Sequence, residues 1–239
     1  TAGLSLDVDD VTIRGEGEQD SNLSFNGQRR GAEGLLITSD GVRLREFAVE
    51  NARGDAIKAR DCNGIHIREV RVEWTRGPNP QNGAYGLYPV NCSNVLIERS
   101  IARGASDAGI YVGQSRNIIV RNNQASQNVA GIEIENSFNA DVYENTVTHN
   151  TGGILVFDLP GLPQKGGHSV RVFQNQIVDN DTPPAGTLQF SAATYGVGEN
   201  GGTASVTITR TGERANDFTV TFDPSAGGRV LLVTRTLYS

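Results

Sequence analysis

The chain has 239 residues and a formal net charge of −6; only 6% of it is aromatic, and 29 residues are glycine. That length allows one large domain, or one domain and a fragment. The acidic balance argues against nucleic acid as a partner, because phosphate binding rests on a basic surface. No apolar run approaches the roughly 20 residues of a membrane span. Methionine is absent, so a mature or trimmed protein, secreted or periplasmic, is expected.

Taken in order, the chain begins with an irregular turn over Leu4, Leu6, Val11 and Ile13, then Leu23 and Phe25. Gly34-Leu35-Leu36-Ile37 opens a second turn, Asp55-Ala56-Ile57-Lys58-Ala59 a third and Ala84-Tyr85-Gly86-Leu87-Tyr88 a fourth. From Gly109 the pattern is plain: Gly-Ile recurs at 109–110, 131–132 and 153–154, in steps of 22 residues. A second apolar pair follows in each unit (Ile118/Val120, Ala140/Val142), with Asn at 123 and 145 and again at 128 and 150. A fixed period in the twenties, with β-branched alternation and no helical spacing, marks a solenoid whose repeat is one turn of sheet. About seven turns are expected, ending near Asn180. Two steps are longer by eight residues, at Arg76–Gly83 and Asp158–Lys165. Both stretches are rich in Pro and Gly, as insertions between strands should be.

Alternation within a turn predicts three short strands. The first points Ile57, Leu87, Ile110, Ile132 and Ile154 inward; the second buries pairs such as Ile65/Ile67 and Val95/Ile97; the third stacks Val72, Ala102, Ala125 and Val147. One inward position reads Val70, Ser100, Asn123, Asn145, Asn175. Stacked Asn amides there would bond to one another along the axis and satisfy polar groups at a buried bend. Cys62 and Cys92 each lie three residues before an equivalent apolar position, which stacks them on adjacent turns roughly 4.8 Å apart. That spacing suits either a disulfide or two buried free thiols.

The run Gly109-Ile110-Tyr111-Val112 through Asn117-Ile118-Ile119-Val120 to Asn122-Asn123 resembles the right-handed parallel β-helix superfamily. It is similar to the bacterial repeat proteins grouped with carbohydrate-binding and sugar-hydrolase (CASH) or NosD-like domains. The resemblance covers about residues 3–181 and implies an all-β fold, with domain bounds at 1–181, a linker at 182–186 and a second segment at 187–239. That segment, from Gly186-Thr187-Leu188-Gln189-Phe190 through the alternation of 204–210, resembles the opening of a Calx-β module and implies antiparallel strands. Glu199 matches an acidic position that helps to bind Ca2+ in that family; its late acidic partners are missing here. A half-sandwich with one apolar face (Leu188/Phe190, Val206/Ile208, Val220/Phe222) would cover its own helix end or pair with a second molecule as a homodimer.

The insertions flank the first-strand sheet and are expected to make its outer face a trough. β-helix polysaccharide lyases, hydrolases and epimerases resemble this arrangement, which implies a polysaccharide partner. Outward positions there read Lys58, Tyr88, Tyr111, Glu133, Leu155 and, in a second column, Arg60, Val90, Gly113, Glu135, Phe157; Asp55, Tyr85 and Asp107 stand at the edge. Tyr88, Tyr111 and Phe157 offer faces to sugar rings, and Arg60 or Lys58 can hold a uronate carboxylate. Tyr85 or a neutral Lys58 would take the proton α to it, the first step of β-elimination and of C5-epimerisation. Asp107 with Glu133 is the best acid pair or Ca2+ site. Glu133 and Glu135, about 7 Å apart along one strand, have the separation of an inverting glycosidase pair. The three histidines are scattered, and no His-based metal site or nucleophile elbow is expected. The leading expectation is an acidic polysaccharide in the trough, with lyase or epimerase chemistry. The alternatives are a non-catalytic binding or adhesive protein and a glycoside hydrolase.

Overall fold

The computed structural model of the protein describes residues 2–181 and the backbone of four later strands, Thr187–Phe190, Ile208–Thr211, Thr219–Phe222 and Leu231–Thr234. The chain divides into two compact units, 1–184 and 185–239. In the first, seven parallel strands lie side by side in chain order: Ala2–Leu6, Arg30–Ile37, Ile57–Arg60, Leu87–Val90, Ala108–Gly113, Ala130–Glu135 and Gly152–Phe157. Each belongs to one turn of the coil, which gives the seven turns expected. The second and third strands of the turns join in one twelve-stranded sheet, because Arg43–Glu50 and Asn63–Glu73 run unbroken through the bend between them.

The inward residues stack in register. Ile57, Leu87, Ile110, Ile132 and Ile154 align across the seven-stranded sheet. Ile65, Val95, Ile118, Ala140 and Val170 align across the other, as do Val72, Ala102, Ala125, Val147 and Ile177. The 30-residue step from Ile57 to Leu87 and the 22-residue step from Ile110 to Ile132 give the same in-register pairing. The inserted chain therefore leaves the stack undisturbed. On the seventh turn the inward residues Val156, Val172 and Ile177 are 48%, 43% and 46% exposed, since the strands end there without a further turn in the described residues.

Three corners are held by polar ladders. Asn123 Nδ2 donates to Asn145 Oδ1 (3.0 Å), and Asn145 Nδ2 to Asn175 Oδ1 (2.9 Å). Ser100 continues the column downward: its backbone N–H donates to Asn123 Oδ1 at 2.9 Å. A second ladder links Asn128, Asn150 and Asn180. Before each ladder Asn in the first column stands a non-glycine residue in left-handed conformation, Asn122, Glu144 and Gln174, with φ of 55°, 55° and 54°. Such a residue turns the chain sharply, and the next side chain points inward to satisfy the amides that the bend exposes.

Cys62 and Cys92 begin the third column, which continues as Ser115 and Ser137: the backbone N–H of Cys92 donates to Ser115 Oγ (3.0 Å) and that of Ser115 to Ser137 Oγ (3.1 Å). The two cysteines are neighbours on adjacent turns, as expected, but they are buried free thiols, not a disulfide. In parallel strands in register the Cα–Cβ bonds run side by side, which keeps the Cβ atoms near the strand spacing of about 4.8 Å. A disulfide draws them to about 3.8 Å.

In the second unit, Thr187–Phe190 pairs antiparallel with Ile208–Thr211, and Thr219–Phe222 with Leu231–Thr234. Beyond the backbone of these four strands, the Calx-β resemblance, Glu199 and the expected homodimer contact rest on residues and side chains outside those described.

Candidate functional site

The outer face of the seven-stranded sheet carries the candidate residues on consecutive strands. Lys58 pairs with Tyr88, Tyr111 with Glu133 and Glu133 with Leu155. In the next row Arg60 pairs with Val90, Val90 with Gly113, Gly113 with Glu135 and Glu135 with Phe157. All nine singled-out residues thus share one sheet or its leading edge, where Tyr85 and Asp107 stand. Their environments divide them.

Tyr85, Tyr88 and Tyr111 form a closed aromatic cluster with ring centroids 4.6, 4.6 and 4.9 Å apart, packed on Ala108 and Ala130. Tyr111 lies down along the sheet and its hydroxyl donates to Glu135 Oε2 at 2.5 Å. Gly113 makes that pose possible, since a Cβ there would stand 2.5 Å from the ring and 2.7 Å from the hydroxyl oxygen. Tyr111, Glu133 and Glu135 are only 5%, 7% and 5% exposed. The expected open column of side chains is here a covered one, because the tyrosines fold over the carboxylates beside them.

Burial sets the proton affinities. Desolvation, then the charges of Asp107 and Glu135, push the Glu133 carboxyl up to about 8. Glu135 is raised as well, by burial and by Asp107 and Asp158, although the Tyr111 hydrogen bond works against this. Its other oxygen, Oε1, is buried without a hydrogen-bond partner. Burial, then Asp107 and Glu133, push the Tyr85 phenol up, and burial and the Glu135 bond do the same to Tyr111. Tyr88 is pushed up to about 12 by burial, then by Asp55 and Glu135. These phenols hold their protons, which is the opposite of what a tyrosine base requires.

The two cations singled out on this face are engaged already. Lys58 Nζ lies 3.5 Å from Asp55, 3.7 Å from Glu33 and 4.7 Å from the centre of the Tyr88 ring, an arrangement that suits a cation, not a proton acceptor. Arg60 bonds to Asp61 at 2.9 Å, on the exposed rim. Phe157 is half-buried beside Glu135. This face is therefore acidic where a uronate chain would need positive charge. Among the described residues no group of three or more His, Cys, Asp or Glu is placed to hold a metal ion, Asp107 and Glu133 included.

Sequence reasoning missed Glu33, Asp158 and the anchors of the two insertions. Asn82, nearly buried, donates to the carbonyls of Gly77 (2.9 Å) and Gly104 (2.5 Å) and pins the first loop. Asn136, wholly buried, donates to the carbonyls of Leu159 (3.0 Å) and Gln164 (2.8 Å) and accepts from the Leu159 amide (2.7 Å). The signal for Asn136 was available: it occupies the left-handed corner position shared by Asp61, Asn91 and Gln114.

Residues 33–211 match the family described as the right handed beta helix region. The chain belongs to that family. The β-helix assignment fixes the coil and its parallel sheets, and leaves the reaction open; no curated protein matches the chain. No helix of this β-helix protein, among the described residues, is long and apolar enough to cross a membrane.

Proposed function

We propose that this β-helix protein is a glycoside hydrolase of an extracytoplasmic polysaccharide, and that its trough takes a neutral glycan. The observation that carries the reading is Glu133: a buried carboxyl with its proton affinity raised to about 8, beside a second acid, Asp107, and one strand from a tyrosine cluster. Glycosidic cleavage uses one carboxyl that holds its proton and a second carboxyl near it. Glu133 gives its proton to the glycosidic oxygen as the bond from that oxygen to the anomeric carbon breaks. Asp107 takes a proton from water as the hydroxyl adds to that carbon. Tyr85 and Tyr88, both partly exposed, are the platforms for flanking sugar rings. The pairing of Lys58 and Arg60 with carboxylates disfavours the acidic chain first expected there, and the raised Tyr85 phenol disfavours elimination.

The test is a panel of neutral and uronate polymers followed by reducing-end release and by the ultraviolet absorbance of unsaturated product. Reducing ends without unsaturation, lost in Glu133→Gln and Asp107→Asn, support hydrolysis; unsaturated product would replace it with a lyase. Binding with neither product would leave a carbohydrate-binding protein, a second reading favoured by how deeply Glu133 and Glu135 are covered.

A further inference from the structure

The twelve-stranded sheet has an outer face of its own, and on the early turns that face is cationic. Register places Arg14, Arg45 and Arg68 side by side on three consecutive turns. Two residues back along the same strands, Arg43 pairs with His66. Neighbouring strands stand about 4.8 Å apart, and alternate residues on one strand about 6.8 Å apart. The result is a flat lattice of positive side chains running along the coil axis.

Three carboxylates hold most of its cations and leave Arg43 and Arg45. Glu46 is held by Arg14 at 2.9 Å. Glu69 is shared between Arg68 (3.1 Å) and Arg99 (3.6 Å). Glu98, which ends the row beside Arg68, is taken by His66 (3.1 Å) and Arg121 (2.7 Å). Arg43 and Arg45 have no ion pair or side-chain hydrogen bond to any described residue. The Nε atoms of both Arg45 and Arg68 are buried without an acceptor. Guanidinium groups stacked at strand spacing repel one another, and an anion laid against their exposed ends relieves that repulsion. His66 senses the same field: burial lowers its proton affinity and the charges of Arg45 and Arg68 lower it further, against the pull of Glu98.

We propose that this face binds a linear carboxylated polysaccharide over Arg43 and Arg45, the two guanidinium groups that no described carboxylate holds, with the ion-paired Arg14 and Arg68 at its edges. The surface is a repeating row, which fits an extended polymer better than a small anion. A guanidinium presents two parallel donors that match the two oxygens of a carboxylate. The trough lies on a different sheet, so this site stands independently of the hydrolase reading: one face holds the protein to an acidic matrix, the other meets a neutral chain.

The experiment is binding of the full chain to polygalacturonate, with dextran as the neutral control and duplex DNA as the rival polyanion, at two salt concentrations. Polygalacturonate should bind and weaken with salt, and dextran should not compete for this site. Arg43→Gln with Arg45→Gln should weaken binding about tenfold or more with the circular dichroism spectrum and melting temperature retained. Lys58→Gln with Arg60→Gln, on the trough, should leave it unchanged. Loss of binding in the trough pair alone, no binding by the native chain, or DNA bound as tightly as polygalacturonate would each overturn the assignment. Hydrolysis of a neutral glycan should proceed in the Arg43/Arg45 variant, which separates failure of this site from failure of the trough.

Discussion

Asn145→Ala is the sharpest test of how the coil is held. Asn145 is 1% exposed, and its Oδ1 accepts from the backbone N–H of Asn123 and from Asn123 Nδ2, both at 3.0 Å. Its Nδ2 donates to the carbonyl of Val120 (3.0 Å) and to Asn175 Oδ1 (2.9 Å). Truncation orphans two donors on Asn123 inside the core and removes one donor each from Val120 and Asn175. At about 1–3 kcal/mol for each stranded donor, the loss is about 4 kcal/mol, or about 8–16 °C in melting temperature for a unit of this size. The damage should be local, because in a solenoid each turn contacts only its neighbours. Hydrogen exchange should therefore quicken over residues 130–178 before it does over 57–103, while urea unfolding reports the total. Asn145→Ser should cost less, since Ser100 fills the same column position and accepts from the backbone N–H of Val70 at 3.2 Å. A loss under about 1 kcal/mol for the alanine variant, or exchange that quickens evenly along the coil, would refute the idea that the ladder joins these turns.

Three further outcomes are expected. Glu133 keeps its proton in the folded chain up to about pH 8, whereas an unfolded carboxyl releases it near 4.3. The folded state thus holds the extra proton between those values, and stability should fall as pH rises through that window. Glu133→Gln should remove this slope and be the more stable protein at pH 9 by roughly 1–3 kcal/mol, as read by urea unfolding at pH 5 and pH 9. Gly113→Val should drive Tyr111 off the sheet and break its bond to Glu135, seen as an altered near-ultraviolet circular dichroism signal and about tenfold weaker glycan binding. Cys62 and Cys92 should be inert to a thiol reagent in the folded chain and both react once it is unfolded; Cys92→Ser should cost no more than about 1 kcal/mol, since serine already fills that column at Ser115 and Ser137.

The coil was legible in the sequence because its forces are periodic. Gly109, Gly131 and Gly153 mark the step, and the inward columns from Ile57 to Ile154 were assigned correctly from alternation alone. The Asn ladder was legible too, since the same residue type recurs where a bend must be satisfied. The site was legible only as a set of positions. Alternation states that Tyr111 and Glu133 point outward; it does not state that Tyr111 lies over Gly113 and closes on Glu135, because that depends on side-chain torsions and a missing Cβ. The partners of Lys58 were hidden for a related reason: Glu33 is 25 residues away in sequence and meets it only through the stacking of turns. The face carrying Arg45 and Arg68 escaped notice because composition averages it away in a chain of net negative charge.

The undisturbed pairing of Ile57 with Leu87 across a long step has a consequence for how such a protein changes over time. The columns and corner amides lock one rung to the next, and the chain between rungs is free to vary in length wherever a buried Asn such as Asn82 or Asn136 ties its base. Recognition and folding are thereby uncoupled. Lengthening, trimming or exchanging a loop can recut the outer face for another ligand without a compensating change in the stack. The scaffold behaves as a rack on which binding cassettes are swapped one shelf at a time.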